Sequence, residues 1–295
     1  MRRIGGAVLL VSLSTLGCAT GPFQRNAPPP GPAVSATRPE QIVAYLNQNA
    51  RGVQSLQFTD VRIQAKQGTK SFGIPAMVHY QKPRNFRLTA EAIGSSQADI
   101  GSNDKEFWFW LKQESPTLYR CSYEDLPRLR NMPLPIQPDW IAEGLCLQEF
   151  GPANSYQMRS NGEGIDLVSQ TTSPQGQQLQ KVTTIAASGP NRGRIVKHLV
   201  RNAQGQEVWS AEVKEYHNPQ RTAGHIIPRK LTIRSTAEKM EIDFMLEGPR
   251  VNSIQPGQSR ELFAVPPIKP EVDLARGPAN GSPSSIQRVR GASPE

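Results

Sequence analysis

Side chains able to make or break bonds are sparse in this 295-residue chain. His79, His198, His217 and His225 occur singly, on or beside expected strands, without the close spacing that builds a zinc site. They read as ordinary sheet or surface histidines. There is no Gly-x-Ser-x-Gly elbow, no His-Glu-x-x-His and no Walker-type phosphate loop. Asp60, Asp99 and Asp104 lie near expected turns or on polar faces, where carboxylates usually only solvate. The residues therefore point to no catalytic group, metal or cofactor and to a protein that is not an enzyme. A catalytic pair assembled by folding stays open.

Cysteine is the remaining reactive type. Cys18 follows a basic start, Arg2-Arg3, and an apolar run from Ile4 to Leu16, and is preceded by Leu16-Gly17. This is the pattern of an export signal, residues 1–17, and the apolar run is too short to span a bilayer as a helix. Cutting before a Cys resembles the lipobox of bacterial lipoproteins, which implies that Cys18 is the lipid attachment site. Thr15 stands where that pattern prefers Leu, Val or Ile, so an ordinary cut elsewhere or an uncut anchor stays open. Residues 18–37, rich in Pro, Gly and Ala, suit an extended tether between membrane and domain. Cys121 and Cys146 are then an even pair in an exported chain, and a disulfide between them is expected; two buried free thiols are the alternative.

Without Arg2 and Arg3 the chain has 32 basic and 25 acidic residues, a net charge of +7. The charges are spread along the chain, with no basic block interleaved with aromatics. Nucleic acid is not an expected partner; a membrane, reached through the anchor, is.

The elements that must position these residues are mostly strands. Pro39 and Glu40 suit a first helical turn, and Ile42, Val43, Leu46 and Val53 recur at helical spacing. The period then switches to two: Val61, Ile63 and Ala65, then Ile74, Ala76, Val78 and Tyr80, then Phe86, Leu88 and Ala90. A polar, Pro-rich stretch breaks the sheet, and Pro138-Asp139 opens a short helix carrying Trp140, Ile141 and Leu145. Residues at about 122–150 read as an inserted arm. Six further strands are expected at 165–171, 179–187, 195–200, 208–216, 227–233 and 240–246, joined by loops of hairpin length. The fold class is α+β, mostly antiparallel β, with about a dozen strands and two or three helices. One domain over 38–265 is long enough for a single core, and 266–295, again rich in Pro, Gly and Ser, reads as a disordered tail.

Phe107-Trp108-Phe109-Trp110-Leu111 is apolar at every position. On a strand, both its faces must avoid water. Parity puts Phe107, Phe109 and Leu111 on one face and Trp108 and Trp110 on the other with Glu106 and Lys112, which makes the Phe face the better core candidate.

Tyr80-Gln81-Lys82-Pro83-Arg84-Asn85-Phe86-Arg87, a strand ending in Lys-Pro before Phe-Arg on the next, resembles the early hairpin of the outer-membrane lipoprotein carrier family, of the LolA and LolB type. The order of elements agrees: a helix comes first, Asn103-Asp104 leads into the aromatic strand, and Phe263 to Pro266 is a Phe-x-x-Pro element near the end. The resemblance implies an unclosed, curved β-barrel with helices covering its concave face. It further implies a monomer that binds lipid or lipidated protein cargo without covalent chemistry, anchored at the outer membrane and facing the periplasm. On this reading an apolar cavity lies between the sheet and the helix around Ile42 to Leu46, walled by Phe86, Leu88, Phe107, Phe109 and Leu111. A structural or interaction lipoprotein with the same fold and a filled core is the alternative. An envelope hydrolase would need a cleft of convergent polar groups.

Overall fold

The structure is a computed structural model that describes residues 38–67, 70–92, 94–112, 115–129, 138–236 and 239–276. The export signal, Cys18 and the tether lie outside the described residues, as does the chain from 277 onward.

Helix α1 (Pro39–Gly52) starts with Pro at N1, where a missing N–H costs nothing, and buries Ile42, Val43, Leu46, Asn47 and Ala50 along one stripe. A meander follows: β1 (Ser55–Gln67), β2 (Lys70–Gln81), β3 (Asn85–Ala92), β4 (Ser95–Ser102), β5 (Glu106–Leu111) and β6 (Leu118–Ser122). Helix α2 (Pro138–Gly144) separates it from a second meander. This comprises β7 (Gln157–Ser160), β8 (Gly164–Thr172), β9 (Gln178–Ala186), β10 (Ile195–Asn202), β11 (Glu207–Tyr216), β12 (Pro228–Ser235) and β13 (Met240–Val251). Helix α3 (Pro256–Leu262) and β14 (Glu271–Asp273) complete the described chain.

All fourteen described strands form one sheet, in the order β14-β6-β5-β4-β3-β2-β1-β13-β12-β11-β10-β9-β8-β7. The two meanders meet at β1 and β13, paired from Leu56–Val251 to Gln67–Met240. Every pairing is antiparallel except β14 on β6. The edges, β14 and β7, do not pair with each other, so the barrel is unclosed. The expected class, strand number and curvature are those observed.

Three expectations need correction. Residues 271–273, assigned from composition to the tail, are built into the sheet: β14 pairs with β6, and the Leu118 amide donates to the Pro270 carbonyl at 2.9 Å. An exposed sheet edge supplies the backbone partners that a Pro-rich segment cannot supply itself. The Cys121–Cys146 bridge is not formed; both are buried free thiols. Cys121 packs with Phe107, Leu126 and Leu129, whereas Cys146 lies in a different cluster with Ile165, Ile185 and Tyr216, so each thiol is held by its own apolar packing. Finally, α1 does not cover Phe86 and Leu88. Its stripe packs on β8 to β11 instead.

Candidate functional site

Cross-strand register settles which side chains share the concave face. Tyr80, Phe86, Ser102, Phe107 and Cys121 stand in one row across β2 to β6, and Val78, Leu88, Ile100, Phe109 and Tyr119 in the next. Ala98 pairs with Leu111 in a third. The five residues expected to wall a cavity therefore do share one face, but they divide among three surroundings. Phe86 and Leu88 belong to the central cluster with Val78, Tyr80, Leu231 and Leu246, and Leu111 packs against it. Phe107 sits in the small cluster around Cys121. Phe109 stacks on Tyr119, with ring centroids 5.1 Å apart.

The concave side of the central cluster is filled by the arm. Trp140, Leu145 and Leu147 lie in the same cluster as Phe86 and Leu88, and the Trp140 ring packs 5.2 Å from Trp209 on β11. Two hydrogen bonds tie the arm's far end to α1: Asn47 Nδ2 donates to the Phe150 carbonyl at 2.9 Å, and the Phe150 amide donates to Asn47 Oδ1 at 2.7 Å. Lys82, in the Lys-Pro hairpin, pairs with Glu149 at 3.0 Å. Hydrogen bonds from Arg51 and Lys82 hold the Glu149 carboxyl below its usual range.

Beside this apolar filling lies a recess of about 80 Å³ between β8 to β10 and the arm, of mixed lining that includes Glu143, Cys146, Lys181, Thr183 and His198. Roughly 150 Å³ accommodates one benzene, so the recess as it stands takes water rather than a long chain. Sequence reading did not find this cluster, since its members come from three segments and share no motif. Thr183 Oγ1 and His198 Nδ1 are hydrogen-bonded at 3.0 Å, and the Cys146 sulfur lies 3.5 Å from Tyr216 Oη and 3.9 Å from His198 Nε2. A Cys beside a His suggests a nucleophile, but the electrostatics oppose one. Burial pushes the Cys146 thiol up to about 12, against the opposing hydrogen bond from Tyr216. Burial, followed by the charge of Lys181, pushes His198 down to about 3. At neutral pH the pair is thiol and neutral imidazole, whereas an activated cysteine is a thiolate. Among the described residues no group of three or more His, Cys, Asp or Glu is placed to hold a metal ion.

The opposite face of β5 is also core. Trp108 is fully buried, its Nε1 donating to Asp99 Oδ1 at 2.9 Å. Arg87 donates to the other Asp99 oxygen at 2.8 Å and to the Leu262 carbonyl at the end of α3 at 3.0 Å. Phe263 and Pro266, the ends of the Phe-x-x-Pro element, are both buried.

No family model matches the chain, and no curated protein matches it by sequence. Solved structures do match. A DUF1329 family protein from Desulfovibrio piger aligns at 10% identity and TM-score 0.51, over 77% of this chain and 100% of the other. A domain named for outer membrane lipoprotein sorting, from Vibrio parahaemolyticus, aligns at 8% identity and TM-score 0.52, over 76% and 97%. A LolA superfamily protein from Nitrosomonas europaea aligns at 11% identity and TM-score 0.48, over 78% and 99%. The likeness to the first two shows a shared fold, the one in which an outer membrane lipoprotein-sorting domain is built, in keeping with the element order around the Lys82-Pro83 hairpin.

Proposed function

We propose that this protein is a non-catalytic envelope lipoprotein that binds lipid or lipidated protein cargo on the concave face of its half-barrel. It acts as a monomer, anchored at the outer membrane through Cys18 and facing the periplasm. One observation carries the reading: an apolar cluster on one face of the sheet, drawn from both meanders, is completed by Trp140, Leu145 and Leu147 of a segment whose helix is only seven residues long.

Magnitudes make exchange of arm for ligand feasible. About eight buried CH₂ groups of an acyl chain contribute roughly 6 kcal/mol, at about 0.8 kcal/mol each. Withdrawing Trp140, Leu145 and Leu147 costs roughly 5–9 kcal/mol, at about 1.5–3 kcal/mol per side chain. The two nearly cancel, which suits a carrier that must also release. Trp140→Ala removes the largest competing group and should tighten binding of a fluorescent fatty acid about tenfold, with little change in circular dichroism. If neither the wild type nor this variant binds the probe, the second reading takes over. That reading is an interaction module whose concave face is permanently filled, and the burial of Phe86 and Leu88 in one cluster with Trp140, Leu145 and Leu147 favours it.

A further inference from the structure

Two side chains of α2, three residues apart and so on one face of the helix, find partners in a single row of the sheet. Register sets Ser169, Lys181, Val200, Trp209 and Ser235 side by side across β8 to β12. Trp140 packs on Trp209, and Glu143 forms an ion pair with Lys181. The Glu143 side chain is only 8% exposed and that of Lys181 27%. The same row holds two buried polar groups, Trp209 Nε1 and Ser235 Oγ, that have no hydrogen-bond partner among the described residues. Buried polar atoms left unpaired are costly and rare in native proteins. The row therefore offers a cation whose partner sits on the arm, and two polar groups that the described residues leave unsatisfied.

We propose that Lys181 is the anion-recognition residue of the concave site. Glu143 occupies it, in the form seen here, in place of a ligand's acidic group. The ligand class is an anionic amphiphile: an acyl chain over Trp209, a carboxylate or phosphate at Lys181, and a hydroxyl or ester oxygen within reach of the Trp209 and Ser235 polar groups. This rests on the lipid-binding reading above and adds its selectivity. A neutral chain that displaced α2 would part the Glu143–Lys181 pair and leave Lys181 uncompensated in a half-buried place. An anionic chain restores the pair with a charge-assisted hydrogen bond while Glu143 moves out to water. A lysine suits the role, since a compact ammonium accepts carboxylate and phosphate alike. The neutral state of His198, to which Lys181 contributes, agrees with a cation facing this recess.

The test uses the purified full chain with cis-parinaric acid and its methyl ester, probes that share a chain and differ in charge. The wild type should bind the acid about tenfold more tightly than the ester. Lys181→Met should bind both alike, Lys181→Arg should keep the preference, and Glu143→Gln should raise affinity for the acid several-fold. Competition with oleate and with lysophosphatidylglycerol then distinguishes a carboxylate from a phosphate source, and displacement by neither counts against the anion subsite. Equal binding of acid and ester by the wild type, or a preference that survives Lys181→Met, overturns the role of Lys181 while leaving lipid binding intact. Failure of every chain, wild type included, to bind either probe overturns lipid binding itself.

Discussion

At the scale of single residues, burial rather than motif determines what the histidines do. His198 is enclosed with Thr183, Cys146 and Lys181 around it, and its pKa near 3 means that the folded chain holds a neutral ring down to strongly acidic pH. The unfolded chain protonates the same ring near 6.5. Unfolding thus takes up a proton below pH 6.5, and stability must fall as pH drops from 6.5 toward 3. His79 and His217 are shifted in the same direction, chiefly by burial, and add to the decline below pH 6.5. Urea unfolding at pH 7, 6 and 5 should show the decline, and His198→Gln should lessen its slope by about 1.4 kcal/mol per pH unit. An unchanged slope would mean that the imidazole is not held neutral in the folded chain.

At the scale of elements, β5 explains why five consecutive apolar residues do not aggregate: each face has its own cover. On the concave face Phe107 packs with Leu126 and Leu129, and on the convex face Trp108 binds Asp99, which Arg87 links to the Leu262 carbonyl at the end of α3. On the convex side the Trp108 ring lies over Gly101 of β4, its direct cross-strand partner, where a Cβ would come within 2.3 Å of the indole. Glycine is required there by the approach of the ring and not by a turn. Gly101→Ala should displace the indole from Asp99 and destabilise the fold by roughly 1–3 kcal/mol, read from the midpoint of denaturant unfolding. A shift below about 0.5 kcal/mol would show that the ring can move aside at little cost. Parity alone made the Phe face the better core candidate, whereas the structure places core on both sides of the strand.

At the scale of the whole molecule, α1 packs on β8 to β11, and the proposed anchor, Cys18, precedes it in the sequence. If Cys18 carries the acyl groups, Cys18→Ala should lose labelling by a radioactive fatty acid and move from the membrane to the soluble fraction, without loss of β-sheet circular dichroism. Labelling of the variant equal to that of the wild type would end the lipoprotein proposal. A membrane-anchored half-barrel with a net charge of +7 after removal of the signal would face an anionic surface, in keeping with an anionic amphiphile as ligand.

Local pattern carried much of this architecture. The period of two in β1 to β3, Pro at the starts of α1 and α2, and the turn residues between strands are short-range properties, legible because a strand or helix displays its own periodicity. That Phe86, Leu88, Phe107, Phe109 and Leu111 share one face followed from that alternation, once consecutive hairpins were assumed. What was illegible is long-range. No local pattern tells that β13 closes on β1, or that the Pro-rich end of the chain joins β6. Nor does the spacing of Cys121 and Cys146 show that the arm carries the second cysteine to another cluster. The row that unites Lys181, Trp209 and Ser235 with Trp140 and Glu143 depends on β-strand register and on where the arm lands. Both are chosen by the burial of side chains distant in sequence, and only the tertiary structure decides them.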